Sequence, residues 1–258
     1  MSGSNSRVVL ITGGSEGIGA ACVDLFARMG WRVAALALPS DGFEEIAGPA
    51  ILPMAGDICD ECVRKMAVER TMERFGAIDV LINNAGVGLY AAPSDASIPL
   101  TKRIFDVNVF APLALAQLAI PVMRRQARGT IVNVGSVGGR AALPWCVSYS
   151  ASKFAVHSIN DSMRRELRRD GIHVMKVCPG IVATKFRENV LAGIAPPEVS
   201  AIQRVVTPQE VAAAIARGIE LKKRTVYVPW VARLFMATEV CAPWLMDWYV
   251  DTKWRKRE

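Results

Sequence analysis

A chain of 258 residues is long enough for one large α/β domain or at most two small ones. Apolar residues make up 52% of it and charged residues 21%, which allows a substantial core and argues against disorder. The net charge is +7, carried in basic patches at Arg124, Arg125 and Arg128, at Arg164, Arg165, Arg168 and Arg169, at Lys222, Lys223 and Arg224, and across residues 253–257. Cations favour helix C-termini, and no helix-turn-helix, zinc-finger or RNA-binding signature accompanies the charge, so nucleic acid is not an expected partner.

Residues 1–7 are short and polar, with no apolar signal-peptide region before the first strand. The expectation is a cytoplasmic protein, so the six cysteines are expected to be reduced thiols. Cys59 and Cys62 form a lone C-x-x-C, read as ordinary thiols near a helix start. His157 and His173 are the only histidines, and no further ligands stand at zinc spacing, so no metal is expected.

In chain order, residues 8–12 read as a strand and 20–29 as a helix stopped at Gly30. Strands follow at 32–36 and 50–54, then a helix at 63–74, a strand at 80–83 and a long helix or helix pair at 102–125. A strand at 130–134, a helix at 149–169, a strand at 173–178, a helix at 208–220 and a strand at 225–228 complete the series. Strands that are apolar throughout and alternate with helices indicate a parallel sheet covered on both faces. The fold class is therefore α/β, a Rossmann-like doubly wound parallel sheet with helices on both faces. Residues 1–229 read as one such domain and 230–258 as an extension.

Ligands of such sheets bind at the carboxyl edge of the strands, and the motifs fall there. The first strand runs into Thr12-Gly13-Gly14-Ser15-Glu16-Gly17-Ile18-Gly19. Glycines 13, 17 and 19 permit a tight turn and a close backbone approach to a pyrophosphate, at a helix N-terminus that favours anions. The spacing is G-x-x-x-G-x-G. Asp57-Ile58 closes the third strand, Asn83-Asn84-Ala85-Gly86 closes the fourth, and Pro179-Gly180 with Thr184 follows the sixth.

Tyr149 and Lys153 are four residues apart on a helix and share a face. A free phenol titrates at about 10, and a nearby ammonium lowers that value, so the pair is a device for proton transfer. Ser136 stands thirteen residues before Tyr149, just past a strand, and Asn108 lies in the long helical stretch.

In this order the motifs resemble those of the short-chain dehydrogenase/reductase family, over roughly residues 8 to 184. The resemblance implies hydride transfer between a nicotinamide dinucleotide and an alcohol or carbonyl, from the pro-S face. It implies that Tyr149 is the acid/base and that Lys153 tunes it and binds ribose. Ser136 would orient the carbonyl, and Asn108 would hold a proton relay. It assigns cofactor contacts to Gly13, Ser15, Glu16, Gly17, Ile18, Gly19, Asp57, Ile58, Asn84, Ala85, Gly86, Tyr149, Lys153, Pro179, Gly180, Val182 and Thr184. It also implies a homodimer or homotetramer paired through the helices that hold Asn108 and Tyr149.

A carboxylate at the end of the second strand selects NAD, and an arginine there selects NADP. Those positions fall near Ala37 and Leu38, which are uncharged. Glu16 in the glycine loop would repel a 2′-phosphate, and Ser40 and Asp41 can reach the ribose. NAD(H) is the expected cofactor, with NADP(H) as the alternative. A non-catalytic dinucleotide sensor or scaffold on the same fold is the competing function. A third reading is a membrane-surface tether with a vestigial oxidoreductase domain. No G-x-S-x-G elbow is present to suggest a serine hydrolase.

By the same resemblance, residues from about 185 to 205 form a lid over the substrate. It carries Phe186, Val190, Leu191, Ile194, Pro196, Pro197, Val199 and Ile202. With Leu143, Trp145 and Cys146 they would line an apolar pocket, or simply pack the lid. Ser136, Leu143, Cys146, Tyr149 and Phe186 are the expected substrate contacts, and the substrate is a lipophilic alcohol or ketone. The extension is rich in aromatic residues and ends in Lys253, Trp254, Arg255, Lys256 and Arg257. Arg233, Glu239, Pro243 and Asp247 interrupt it, which argues against a spanning helix. Two readings stay open for it: a helix that packs on a subunit or caps the pocket, and a peripheral membrane anchor.

Overall fold

The computed structural model describes residues 6–193 and 204–254. The expected lid residues Ile194, Pro196, Pro197, Val199 and Ile202, and the terminal Arg255, Lys256 and Arg257, lie outside the described residues. The elements are β1 (Val8–Thr12), α1 (Gly17–Arg28), β2 (Arg32–Ala37), β3 (Ile51–Ala55), α2 (Glu61–Phe75), β4 (Val80–Asn83), α3 (Ile98–Phe105), α4 (Ala111–Arg125), β5 (Gly129–Val134), α5 (Val147–Glu166), β6 (Ile172–Pro179), α6 (Pro208–Glu220), β7 (Thr225–Val228), α7 (Ala232–Cys241) and α8 (Pro243–Trp254).

All seven strands are parallel, in the order β3-β2-β1-β4-β5-β6-β7. The order reverses between β1 and β4, so the switch point lies where the glycine loop leaves β1. Pro53 is accommodated because β3 is the edge strand. The central strands are buried on both faces, as their unbroken apolar runs require. One core joins α1 and α6 to the sheet through Phe26, Val211 and Ile215. The other joins α2, α4 and α5 through Val68, Leu115 and Met163.

Element bounds differ from the sequence reading where chemistry overrides periodicity. Helix α1 begins at Gly17, inside the glycine motif, because the loop glycines already occupy its first turn. The long helical stretch begins at Ile98, capped by Ser97, and is interrupted by a π-helical turn over Asp106–Phe110. Proline at 112 cannot donate to the carbonyl of Asn108, so regular α geometry fails there. By length and composition this stretch could cross a membrane, but half of its apolar window is buried in the protein. It is a core helix: Leu115, Ala116, Ala119 and Met123 pack into the second core. Cys59 and Cys62 flank the start of α2, where Asp60 accepts the Cys62 amide at 2.8 Å. The extension forms α7 and α8, broken at Ala242-Pro243.

Leu115 is fully buried between the sheet and its covering helices. Leu115→Ala should lower the unfolding free energy by about 2–5 kcal/mol in urea denaturation. A loss below about 1 kcal/mol would show that the site is not closely packed.

Candidate active site

A cleft of roughly 930 Å³ runs along the carboxyl edge of the sheet, from the end of β2 to the turn after β6. At its centre the glycine loop is folded by its own backbone demands. Gly13 and Gly17 have φ of +67° and +56°, a region that side chains resist. A Cβ on Gly19 would stand 1.8 Å from the Gly13 carbonyl oxygen, so only glycine fits. The loop is laced to β4 by two side chains. Asn84 Nδ2 donates to the carbonyls of Thr12 (2.9 Å) and Gly13 (3.2 Å). The Thr12 hydroxyl accepts the amides of Asn84 and Ala85, both at 3.0 Å. What remains is an exposed backbone cradle at the N-terminus of α1, which fits a pyrophosphate.

Gly13, Ser15, Glu16, Gly17, Ile18, Asp57, Ile58, Asn84, Ala85, Gly86, Pro179, Gly180, Val182 and Thr184 all line this cleft. Gly19 does not; it packs behind the loop. Ala37, Leu38, Pro39, Ser40 and Asp41 line the far end, and no basic side chain is among these residues that follow β2. Asp57 is already engaged: it accepts the Cys59 amide at 2.8 Å and pairs with Arg103 at 2.6 Å. Burial acts to raise its pKa, but these two partners outweigh it and hold the carboxyl below its ordinary value. Glu16 accepts a hydrogen bond at 3.0 Å from Asn189, so the glycine loop touches the lid segment across the cleft.

At the other end Ser136, Leu143, Cys146, Tyr149, Lys153 and Phe186 line the same cleft. Tyr149 and Lys153 project together, with the ammonium nitrogen 5.9 Å from the ring centroid. The Ser136 hydroxyl accepts the Gly138 amide at 3.0 Å and stands beside the phenol, where it acts to lower the phenol's pKa. Burial dominates both titrating groups. It raises the Tyr149 pKa against the lowering effect of Ser136, and it pushes Lys153 down to about 8. The sequence pairs Lys153 with the phenol as the group that lowers its pKa. In the structure its nitrogen donates to the Val134 carbonyl at 3.1 Å, and the phenol's pKa is raised by burial, with Ser136 the neighbour that lowers it.

Asn108 stands behind the cleft wall. Its side chain clasps Val87, accepting from the amide at 2.9 Å and donating to the carbonyl at 3.0 Å, and it also donates to Ser152 at 3.1 Å. With Lys153, Asn83 and Asn133 it borders a small cavity of about 20 Å³, the size of one water. Asn83 Oδ1 is buried there with no protein partner.

Sequence reasoning missed Tyr90. Its ring lies 6.4 Å from that of Tyr149, opposite Phe186 at 5.9 Å. The segment is held by non-local backbone pairing, Ala91 to Trp145 at 2.9 Å and Leu191 to Gly88 at 2.9 Å, which no local motif announces.

A family model described as short chain dehydrogenase matches residues 7–194. The chain belongs to the short-chain dehydrogenase family. It is 32% identical over 244 residues to a dehydrogenase/reductase SDR family protein 7-like of Anopheles gambiae, covering 88% of this chain and 76% of that one. It is 34% identical over 223 residues to 2-(R)-hydroxypropyl-CoM dehydrogenase of Xanthobacter autotrophicus, covering 78% and 88%. The chain spans only 60–61% of the length of several other curated relatives. Among solved structures, a 3-ketoacyl-(acyl-carrier-protein) reductase of Brucella melitensis complexed with NADH superposes with a TM-score of 0.79 and 27% identity, covering 87% of this chain and 98% of that one. Membership makes this family member an oxidoreductase that uses a nicotinamide dinucleotide.

Gly19→Ala should weaken NADH binding at least about tenfold in a fluorescence titration, a loss of about 1.4 kcal/mol. Unchanged affinity would show that the loop tolerates displacement. A second outcome concerns His157, which is buried beside Cys178 Sγ at 3.6 Å. Burial, aided by the charges of Lys176 and Lys153, holds it down at about 4 rather than 6.5. The unfolded chain therefore takes the proton first, and folded stability falls as pH drops from 6.5 towards 4. His157→Gln removes this dependence, so its stability relative to wild type should rise by about 3 kcal/mol across that window. Parallel pH profiles for the two proteins would contradict it.

Proposed function

We propose that the chain is an NAD(H)-dependent alcohol dehydrogenase or carbonyl reductase acting on a lipophilic secondary alcohol or ketone. The observation that carries the reading is the half-buried Tyr149 phenol, with Ser136 beside it and the Lys153 ammonium nitrogen 5.9 Å from its ring centroid, in the same cleft as the glycine cradle. Residues 1–229 act as the catalytic unit, with a lid at about 185–205, and residues 230–258 are an extension. Gly13, Ser15, Gly17 and Ile18 hold the pyrophosphate, and Asp57 and Ile58 flank the adenine. Thr184 and Val182 hold the nicotinamide end, and Lys153 binds the ribose. When bound, the nicotinamide supplies hydride transfer at its ring carbon.

The protein's own part is proton transfer and charge stabilisation. In reduction, Tyr149 donates its proton to the carbonyl oxygen while the Ser136 hydroxyl hydrogen-bonds that oxygen. Burial keeps the phenol protonated, which suits a proton donor. In oxidation, the reverse step starts from the Tyr149 phenolate, which the Lys153 ammonium favours, and that phenolate takes the alcohol proton to return to the phenol. Asn108 holds the segment after β4 through Val87 and shares the water-sized cavity with Lys153, where a proton relay to Lys153 can run. Tyr90, Leu143, Cys146, Phe186, Val190 and Leu191 make the substrate end mostly apolar. Two similar proteins are named for a hydroxypropyl and a ketoacyl substrate, which supports an alcohol and carbonyl pair. The uncharged end of β2 and the neighbour's NADH support NAD(H) over NADP(H).

Tyr149→Phe should cut kcat by about 10²–10⁴-fold and leave NADH affinity within a factor of about two. Turnover close to wild type would remove Tyr149 from the reaction. In the same titration NADH should bind more tightly than NADPH; the reverse order would show that a basic group reaches the 2′-phosphate.

A further inference from the structure

The extension covers little of its apolar surface. Helices α7 and α8 meet through Phe235 and Tyr249, whose ring centroids are 6.3 Å apart and nearly edge-on, and Met236 and Met246 are buried. The other large apolar side chains face water. Trp230, Trp244 and Trp248 are 71%, 66% and 64% exposed, and Leu234, Val240 and Leu245 are exposed as well. Trp244 and Trp248 are four residues apart on α8, so the two indoles share a face. No residue of either helix lines the catalytic cleft, so the described extension is not a wall of the pocket. A monomer rarely leaves such a concentration of apolar side chains uncovered without an interaction to explain it.

The composition and charge select the occupant. Indoles have an apolar body and a polar N–H, and they settle at the headgroup level of a bilayer. Arg233 is exposed on α7, and the sequence continues past α8 with Arg255, Lys256 and Arg257 after Lys253. Aromatic side chains next to a cluster of cations match an anionic lipid surface, which attracts each cation within a Debye length. The chain's net charge of +7 acts in the same sense. A second copy fits less well. A symmetric contact uses the same patch twice and would bring together two copies of a chain whose net charge is +7 and whose exposed α7 carries Arg233. Spanning is excluded by length, because α7 has 10 residues and α8 has 12, against about 20 for a bilayer crossing.

We propose that the α7–α8 pair is a peripheral docking element that seats its exposed indoles among the headgroups of an anionic phospholipid membrane. The proposal is independent of the catalytic reading, since it uses none of the cleft residues.

The test uses the full chain and vesicles of phosphatidylcholine, alone or mixed with phosphatidylglycerol, read by flotation and tryptophan emission. The wild type should float with the mixed vesicles at low salt, with a blue-shifted emission, and should leave them at high salt. Replacing both Trp244 and Trp248 by Ser should weaken binding by at least about tenfold. Charge reversal by Arg255→Glu with Lys256→Glu should abolish the preference for phosphatidylglycerol while the protein stays folded by circular dichroism. Failure of the wild type to float with either vesicle overturns the proposal. If the wild type then self-associates in sedimentation and the tryptophan double variant is monomeric, the face is a contact between copies.

Discussion

Everything at the functional edge of this protein depends on the short segment that follows β4. Asn84 uses its amide to bind two carbonyls at the end of β1, and Thr12 returns two hydrogen bonds to the backbone at 84 and 85. These bonds hold the glycine loop open at the switch point. A few residues on, Val87 is clasped by Asn108, and a Cβ on Gly86 would lie 3.1 Å from Asn108 Oδ1 and 3.5 Å from Lys153 Nζ. One stretch of backbone thus ties the glycine loop on one side to the helix that carries Tyr149 and Lys153 on the other.

The second constraint is burial. Tyr149, Lys153 and His157 lie on one helix, and burial favours the neutral form of each. A phenol held protonated and an amine brought near neutrality are groups whose ionisation responds strongly to any charge placed beside them. That responsiveness is what the proposed chemistry uses. It also carries a stability cost, because burying ionisable groups opposes folding unless partners satisfy them. The protein meets part of that cost with the Val134 carbonyl, which accepts from the Lys153 ammonium.

Much of this was legible in the sequence because the signals are local. The strands are short apolar runs, the glycine loop is one contiguous motif, and Tyr149 and Lys153 are related by a single helical turn. What stayed hidden depends on contacts between distant segments. Tyr90 enters the site because residues 88–91 pair with residues 145–146 on one side and 190–192 on the other. The Glu16–Asn189 contact joins residues 173 positions apart. The effect of proline at 112 on the Asn108 turn was readable in principle, since proline removes a known donor. The exposure of the tail tryptophans was not, because apolar composition alone does not distinguish a covered helix from an uncovered one.

The most direct test of the account is a single-turnover reaction with NADH deuterated at the pro-S position of the nicotinamide ring, offered a panel of apolar ketones. The account predicts that NADH is consumed and that the deuterium appears on the carbinol carbon of the product alcohol. NADH that binds tightly yet stays unreacted across the panel, or product without the label, would contradict it.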